Sequence, residues 1–209
     1  TKSYELEITD EEDTAGLTED FKNSIWDDSR NAWVATLDRS VFETFMTQSE
    51  NRELRSKLFD GYRLRASDGA NDNGPLAVKI AQLRARRAAL LGYPSHAHYI
   101  LEYNMARTPK NAEEFLLKVW RPGLAQAKLD RADMQALAGD DVDFAGHDWW
   151  HYSEKIRKQR YDIDENTLKP YFELSNVRNG AFELATRLFG VTFEPLDVPV
   201  WNETVAAVD

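Results

Sequence analysis

The 209-residue sequence contains no cysteine. Disulfides, thiolate metal sites and thiol nucleophiles are therefore excluded together. Long apolar runs are also missing, and none approaches the ~20 residues that a helix needs to cross a bilayer. The opening residues, Thr-Lys-Ser-Tyr-Glu, have neither the apolar core of a signal peptide nor an initiator Met. The chain therefore reads as a processed or shortened piece of something larger. Glycine and proline are scarce, at ten and seven. None of them builds a Gly-x-Gly-x-x-Gly or Walker loop, and no serine sits in a nucleophile elbow. Positive charge is in deficit: 26 Lys and Arg face 36 Asp and Glu, a net of −10. That balance argues against nucleic acid or an anionic membrane as a partner.

What is present is apolar and aromatic. Hydrophobic residues make up 42% of the chain, with six Trp, eight Tyr and ten Phe. Such a composition buries a core and is unlike that of a disordered chain. The acidity concentrates at the front, where residues 1–50 hold thirteen acids and four bases.

Along the chain, Tyr4, Leu6 and Ile8 alternate with polar residues, which predicts a short strand or extended edge. Residues 21–30 carry weak helical signals, and Trp33–Asp38 is ambiguous between strand and loop. From Arg39 the period becomes helical. Phe42, Phe45 and Met46 share a face, and Leu54, Leu58 and Tyr62 continue it. Pro75 suits the first turn of a helix whose stripe is Leu76, Ile80, Leu83, Arg87 and Leu90/Leu91, with Gly92 as its stop. Ser95, Thr108, Asp148 and Ser175 are expected N-caps. The helix after Thr108 runs toward Gly139, with a kink or break expected at Pro122. Extended pieces follow at Val191–Pro195 and Val198–Trp201. Thr204–Asp209 begins like a strand, and is expected to be disordered or to pair with the N-terminal segment or a second molecule. The sequence thus predicts an all-α, mainly helical region over 1–209, with a few short extended segments near both termini and no internal boundary.

His147-Asp148-Trp149-Trp150-His151 imitates the zinc-peptidase pattern His-Glu-x-x-His, in which two imidazoles one turn apart hold the metal and the acid serves as base. Asp is one methylene shorter than Glu, and His147 follows Gly146, ahead of the helix. A capped, aromatic-packed helix start is the favoured reading. His96 and His98 lie at a helix start, where i, i+2 side chains diverge. Lys79, Arg84, Arg86 and Arg87 form a basic patch expected to pair with the acidic N-terminal stretch. Asp140, Asp141 and Asp143 lack the glycine and twelfth-position Glu of a calcium loop. From the residues alone, no catalytic residue and no metal ligand is assigned, and substrate-binding residues are unknown.

Several segments together resemble one family. Leu83-Arg84-Ala85-Arg86-Arg87-Ala88-Ala89-Leu90-Leu91-Gly92-Tyr93 and Met105-Ala106-Arg107-Thr108-Pro109 are similar to runs of the thimet oligopeptidase family of zinc metallopeptidases. Thr36-Leu37-Asp38, Asn51-Arg52-Glu53-Leu54-Arg55, Tyr152–Lys158, Tyr161-Asp162, Pro170-Tyr171-Phe172 and Leu188–Phe193 extend the resemblance over nearly the whole chain. The bacterial peptidyl-dipeptidases are the subgroup it most resembles. The resemblance implies a neurolysin-like helical region and a parent enzyme that uses zinc to hydrolyse short peptides. It also implies a fragment without the His-Glu-x-x-His helix, holding no zinc and inactive alone. A cytoplasmic location is expected, with the periplasm as the alternative. The rival reading is a free-standing helical domain, peptide-binding or structural, with no enzymatic activity.

Overall fold

Alternation at the N-terminus does produce a strand. In the computed structural model, which describes residues 4–67, 69–161, 168–202, 205 and 207–208, β1 spans Glu5–Ile8 and buries Leu6 and Ile8 while Glu5 and Glu7 face out. It pairs antiparallel with β3, Ala32–Thr36, placing Leu6 opposite Ala35 and Ile8 opposite Trp33. The two-residue β2, Trp26–Asp27, pairs with the other edge of β3, and Trp26 meets Trp33 edge-to-face at 4.9 Å. The ambiguous Trp33 segment is thus the central strand of a small sheet ordered β1-β3-β2.

Three helices close the inner face of this sheet. They are α1 (Glu19–Ser24), α2 (Arg39–Gln48) and α3 (Arg52–Arg63). Asn51 caps α3 by accepting from the Leu54 amide at 3.0 Å, which satisfies one of its orphan N–H groups. The shared core is Leu6, Ile8, Leu17, Phe21, Ile25, Ala35, Leu37, Phe42, Phe45, Met46, Leu54 and Leu58. Each large member contributes about 1.5–3 kcal/mol by leaving water, so this β–α module is where the stability of the N-terminal part resides.

Beyond α3 the chain forms three helices joined end to end: α4 (Gly74–Leu90), α5 (His96–Leu101) and α6 (Pro109–Ala138). Proline lies in the first turn of α4. Gly92 ends α4 at φ +80, with the Tyr93 amide on the Ala88 carbonyl (2.9 Å) and the Gly92 amide on that of Ala89 (3.0 Å). That paired closure needs a left-handed residue, which explains the glycine. Ser95 and Thr108 cap α5 and α6 by accepting from the amides of His98 and Asn111. The break expected at Pro122 does not occur. One helix of thirty residues, about 45 Å long, runs through it. Proline removes one ladder bond, and the long helical stretches on either side carry the helix across the gap.

A short 3₁₀ turn, Gly146–Asp148, leads into α7, Trp149–Tyr161. The chain divides into two compact units, Thr1–Ile156 and Arg157–Asp209. The second holds α8, Leu174–Phe189, which ends at left-handed Gly190, with Phe182 stacked on Phe193 at 4.2 Å. Helix α8 begins one residue before the expected Ser175 cap, because the 3₁₀ turn Lys169–Phe172 leads almost directly into it and Glu173 takes the N-cap position. Of the strand expected over Thr204–Asp209, Thr204, Ala206 and Asp209 lie outside the described residues. Its remaining part finds a partner that the sequence does not announce. Residues Ala207–Val208 (β5) pair antiparallel with Pro195–Leu196 (β4), so a local hairpin supplies the pairing expected from the N-terminal segment or a second molecule.

Candidate functional site

The strongest polar constellation in the N-terminal unit joins residues more than ninety positions apart. Helix α3 presents Arg52 and Arg55 on one side, since i and i+3 share a helix face. The 3₁₀ turn before α7 presents Asp148, which is fully buried. Arg52 donates from Nη2 to Asp148 Oδ2 at 2.8 Å and from Nε to Oδ1 at 3.1 Å. Arg55 Nη2 donates to Oδ1 at 3.0 Å. Arg52 Nε is shared with Oδ2 at 3.2 Å, and the Ala145 amide adds a further bond to Oδ2 at 3.0 Å. The remaining donors are largely used as well: Arg52 Nη2 reaches the Asp143 carbonyl at 2.7 Å, and Arg55 Nη1 the Ser49 carbonyl at 2.8 Å.

Apolar packing surrounds this clasp. Trp150 meets Phe42 edge-to-face at 5.6 Å and lies 6.1 Å from Phe59. A Cβ at Gly146 would stand 2.9 Å from the Phe59 ring, so a side chain there would push that ring aside. His151, on α7, is 5% exposed. His147 lies beside Asp148 at 3.6 Å.

The electrostatics follow from this geometry. Burial opposes charge on Asp148, but hydrogen bonds from Arg52, the Ala145 amide and Arg55 outweigh it and hold the carboxyl at about 2. Burial pushes His151 down to about 4, with the Arg55 and Lys155 charges acting in the same direction against the Thr47 carbonyl and Asp148. Burial lowers His147 too. At neutral pH the cluster is one carboxylate fixed between two guanidiniums beside two neutral imidazoles. A carboxylate that holds its charge this firmly exchanges no proton near neutrality, so the arrangement is a structural clasp and not an acid–base pair.

The donor set also does not fit zinc. Asp148 is committed to two cations and an amide, and the Arg55 charge beside His151 repels a metal cation. Among the described residues, no three His, Cys, Asp or Glu gather as a metal would require. The expected role of Asp148 needs correction. Its carboxylate does not cap α7 but accepts the Ala145 amide ahead of the 3₁₀ turn, because the two arginines draw it toward α3. His147 does lie before the helix, as its glycine neighbour indicates.

The other singled-out groups stay apart from this cluster. His98 turns to Ser95, with Nδ1 2.9 Å from the hydroxyl. Arg87 lies over the Tyr99 ring at 4.8 Å. The N-terminal acids take nearer partners than the basic patch, Glu5 with Arg30 and Glu19 with Lys22, since side chains on the same module reach them without ordering a distant helix. Asp143 contributes its carbonyl to Arg52 rather than its carboxylate to a metal. The residues that sequence reasoning missed are Arg52 and Arg55. The available signal was two arginines at i, i+3 flanking Leu54 on a core-facing helix.

Comparison with known proteins fits the segments quoted above. The sequence pattern of peptidase family M3 matches residues 45–209. "Organellar oligopeptidase A, chloroplastic/mitochondrial" of Arabidopsis thaliana is 34% identical over 98% of this chain and 28% of its own length. Dipeptidyl carboxypeptidase of Escherichia coli (strain K12) is 33% identical over 84% of this chain and 27% of its own. Oligopeptidase A of Salmonella typhimurium is 32% identical over 95% and 31%. The chain spans less than a third of the length of these relatives. With the family pattern matched from within α2 to the last residue, the chain belongs to peptidase family M3.

Proposed function

We propose that residues 1–209 form a non-catalytic helical part of a zinc-dependent peptidase of the oligopeptidase and peptidyl-dipeptidase type, acting on short peptides in the cytoplasm. The observation that carries this reading is the family match over residues 45–209, joined to relatives named as oligopeptidases and dipeptidyl carboxypeptidases. The chemistry of the clasp supports the non-catalytic role. Its carboxylate is locked between arginines, and its imidazoles are kept neutral by burial rather than poised as a base. In this reading, zinc and the groups that activate water belong to other parts of the polypeptide. Residues 1–209 supply scaffold and wall.

The test compares two proteins on a quenched fluorescent peptide series with added zinc. One is the 209-residue chain and the other the complete product of the gene. Expected is hydrolysis by the complete product, abolished by chelation and restored by zinc, with no turnover by the 209-residue chain. Zinc-dependent turnover by residues 1–209 that disappears in His147→Ala or His151→Ala would overturn the reading. A complete product that binds such peptides without cleaving them would favour the free-standing binding domain instead.

A further inference from the structure

Asn followed by Gly occurs twice in the chain, at Asn73-Gly74 and at Asn179-Gly180. Such a pair carries chemistry of its own. The Gly amide nitrogen can attack the Cγ of the side chain before it, because glycine has no Cβ to block the approach and its backbone turns freely. The fold around each pair decides whether that attack proceeds, and the two pairs are held differently.

Asn73-Gly74 lies where the loop after α3 enters the arm formed by α4, α5 and α6. Asn73 is exposed. It occupies the N-cap position of α4 with φ −94 and ψ 1, yet its side chain makes no bond to the first turn. The carboxamide can therefore turn toward its own main chain. Gly74 opens the helix but precedes Pro75, and a residue before proline is disfavoured in helical backbone, so this end of α4 opens at low cost. The first N–H groups of a helix have no carbonyl partner within it, and the Gly74 amide donates instead to Asp72 Oδ1 at 2.8 Å. That bond acts as a brake. It holds the proton that the attacking nitrogen must lose, and the carboxylate charge opposes the loss. Asn179 is exposed too, but it sits well inside α8. There the Gly180 amide is directed to the carbonyl four residues back and cannot swing onto the Asn179 Cγ unless the helix opens.

We propose that Asn73 is a site of spontaneous deamidation, and that α8 shields Asn179 from the same reaction. The Gly74 nitrogen loses its proton to hydroxide and bonds to the Asn73 Cγ. The Cγ–Nδ2 bond then breaks, and the amide group leaves as ammonia after taking a proton from water. Water opens the resulting cyclic imide. Opening at Cγ gives aspartate, and opening at the main-chain carbonyl gives isoaspartate, with the chain running through the former side chain. Either product places a carboxylate at the N-terminus of α4, where the helix dipole favours negative charge. The test incubates the folded 209-residue chain in mildly alkaline buffer and follows the tryptic peptides 66–79 and 179–187 by mass spectrometry, with a sample digested at once as the zero. Expected is the mass gain of an amide becoming an acid, about tenfold or more faster in 66–79, because Asn179 must await local opening of its helix. Fragmentation should place the gain on Asn73. Asn73→Gln should abolish it, and Asp72→Ala should quicken it severalfold. In urea, with α8 unfolded, the two rates should converge. Equal rates in the folded chain, a gain that falls on Asn71, or a ratio that persists in urea would overturn the proposal. An unchanged rate in Asp72→Ala would overturn the part assigned to Asp72.

Discussion

Replacing Asp148 by Asn removes one charge and almost no volume, which makes it the sharpest probe of how the N-terminal unit holds together. Asp148 is fully buried and Arg55 is 1% exposed, whereas the Arg52 side chain is 43% exposed. Removing one partner of a buried ion pair costs about 3–5 kcal/mol, because the other charge is left without compensation. An exposed partner can turn to water, and its loss costs about 1 kcal/mol or less. The expected order of destabilisation is therefore Asp148→Asn first, Arg55→Met second and Arg52→Ala last. Arg55→Met falls between because Asp148 keeps Arg52 and the Ala145 amide. For a unit of this size, about 4 kcal/mol corresponds to a melting point lowered by about 10 °C. Urea unfolding followed by Trp fluorescence reports the change directly, since Trp150 packs beside the clasp on Phe42 and Phe59. A loss below about 1 kcal/mol for Asp148→Asn, or a larger loss for Arg52→Ala, would refute the assignment of the clasp. The pair Arg55→Met with Asp148→Leu should recover much of the deficit, since no buried charge is then left alone.

Acid should weaken the same region. His151 sits at about 4 when folded against an ordinary value near 6.5, so the unfolded chain binds the proton more readily. The corresponding stability is fully present above about pH 6.5 and is lost as pH falls toward about 4, by about 3 kcal/mol in all. Urea midpoints at neutral and mildly acid pH measure it, and a variant with His151→Gln should lose most of that slope. Asp148, held at about 2, adds a second loss below about pH 4 as its carboxyl takes up a proton. Pro122→Ala should raise the thermal midpoint of the arm without adding helical residues, because α6 already runs through Pro122 and the change restores one ladder bond and removes a cost of about 3 kcal/mol; an unchanged midpoint followed by circular dichroism would refute that cost. Zinc titrated calorimetrically into the 209-residue chain should show no site tighter than about micromolar, the range of loose surface histidines, and a tight one-to-one site abolished by His151→Ala would contradict the clasp.

Much of the module is legible in the sequence because its residues obey one period at a time. Leu6 and Ile8 alternate and are buried in a strand, and Phe42, Phe45, Met46, Leu54 and Leu58 repeat at helical spacing and form the core. Ser95 and Thr108 announce two caps because capping is a contact between near neighbours in sequence. Strand β3 is ambiguous for a physical reason. Its buried residues, Ala32 and Ala35, are three apart in a five-residue strand, which matches neither clean period. The clasp is invisible because Asp148 finds its partners 93 and 96 residues upstream, and no local pattern encodes a distance of that kind. The stripes on α4 and α6 mark surfaces that call for burial. Periodicity says that a face is apolar but not what covers it, and here the N-terminal unit itself does not.

The clasp also explains how the module can carry so long an arm. Closing Arg55 onto Asp148 ties off the whole stretch that contains α4, α5 and α6. The entropy of closing a flexible loop grows only with the logarithm of its length, so doubling the stretch would add about 0.6 kcal/mol. One buried ion pair and the Trp150 contacts outweigh an increment of that size. Stability of the module should therefore depend strongly on Asp148 and weakly on arm length. A flexible Gly-Ser segment inserted after Gly139, where the backbone has left α6 and a side-chain carbon would meet no atom within 4 Å, isolates the second dependence. About twenty inserted residues lengthen the loop by roughly a fifth, which is worth only a few tenths of a kcal/mol. The urea midpoint of the module should move by no more than that. A shift comparable to that of Asp148→Asn would show that the arm presses on the module through contacts, and that the clasp does not act alone.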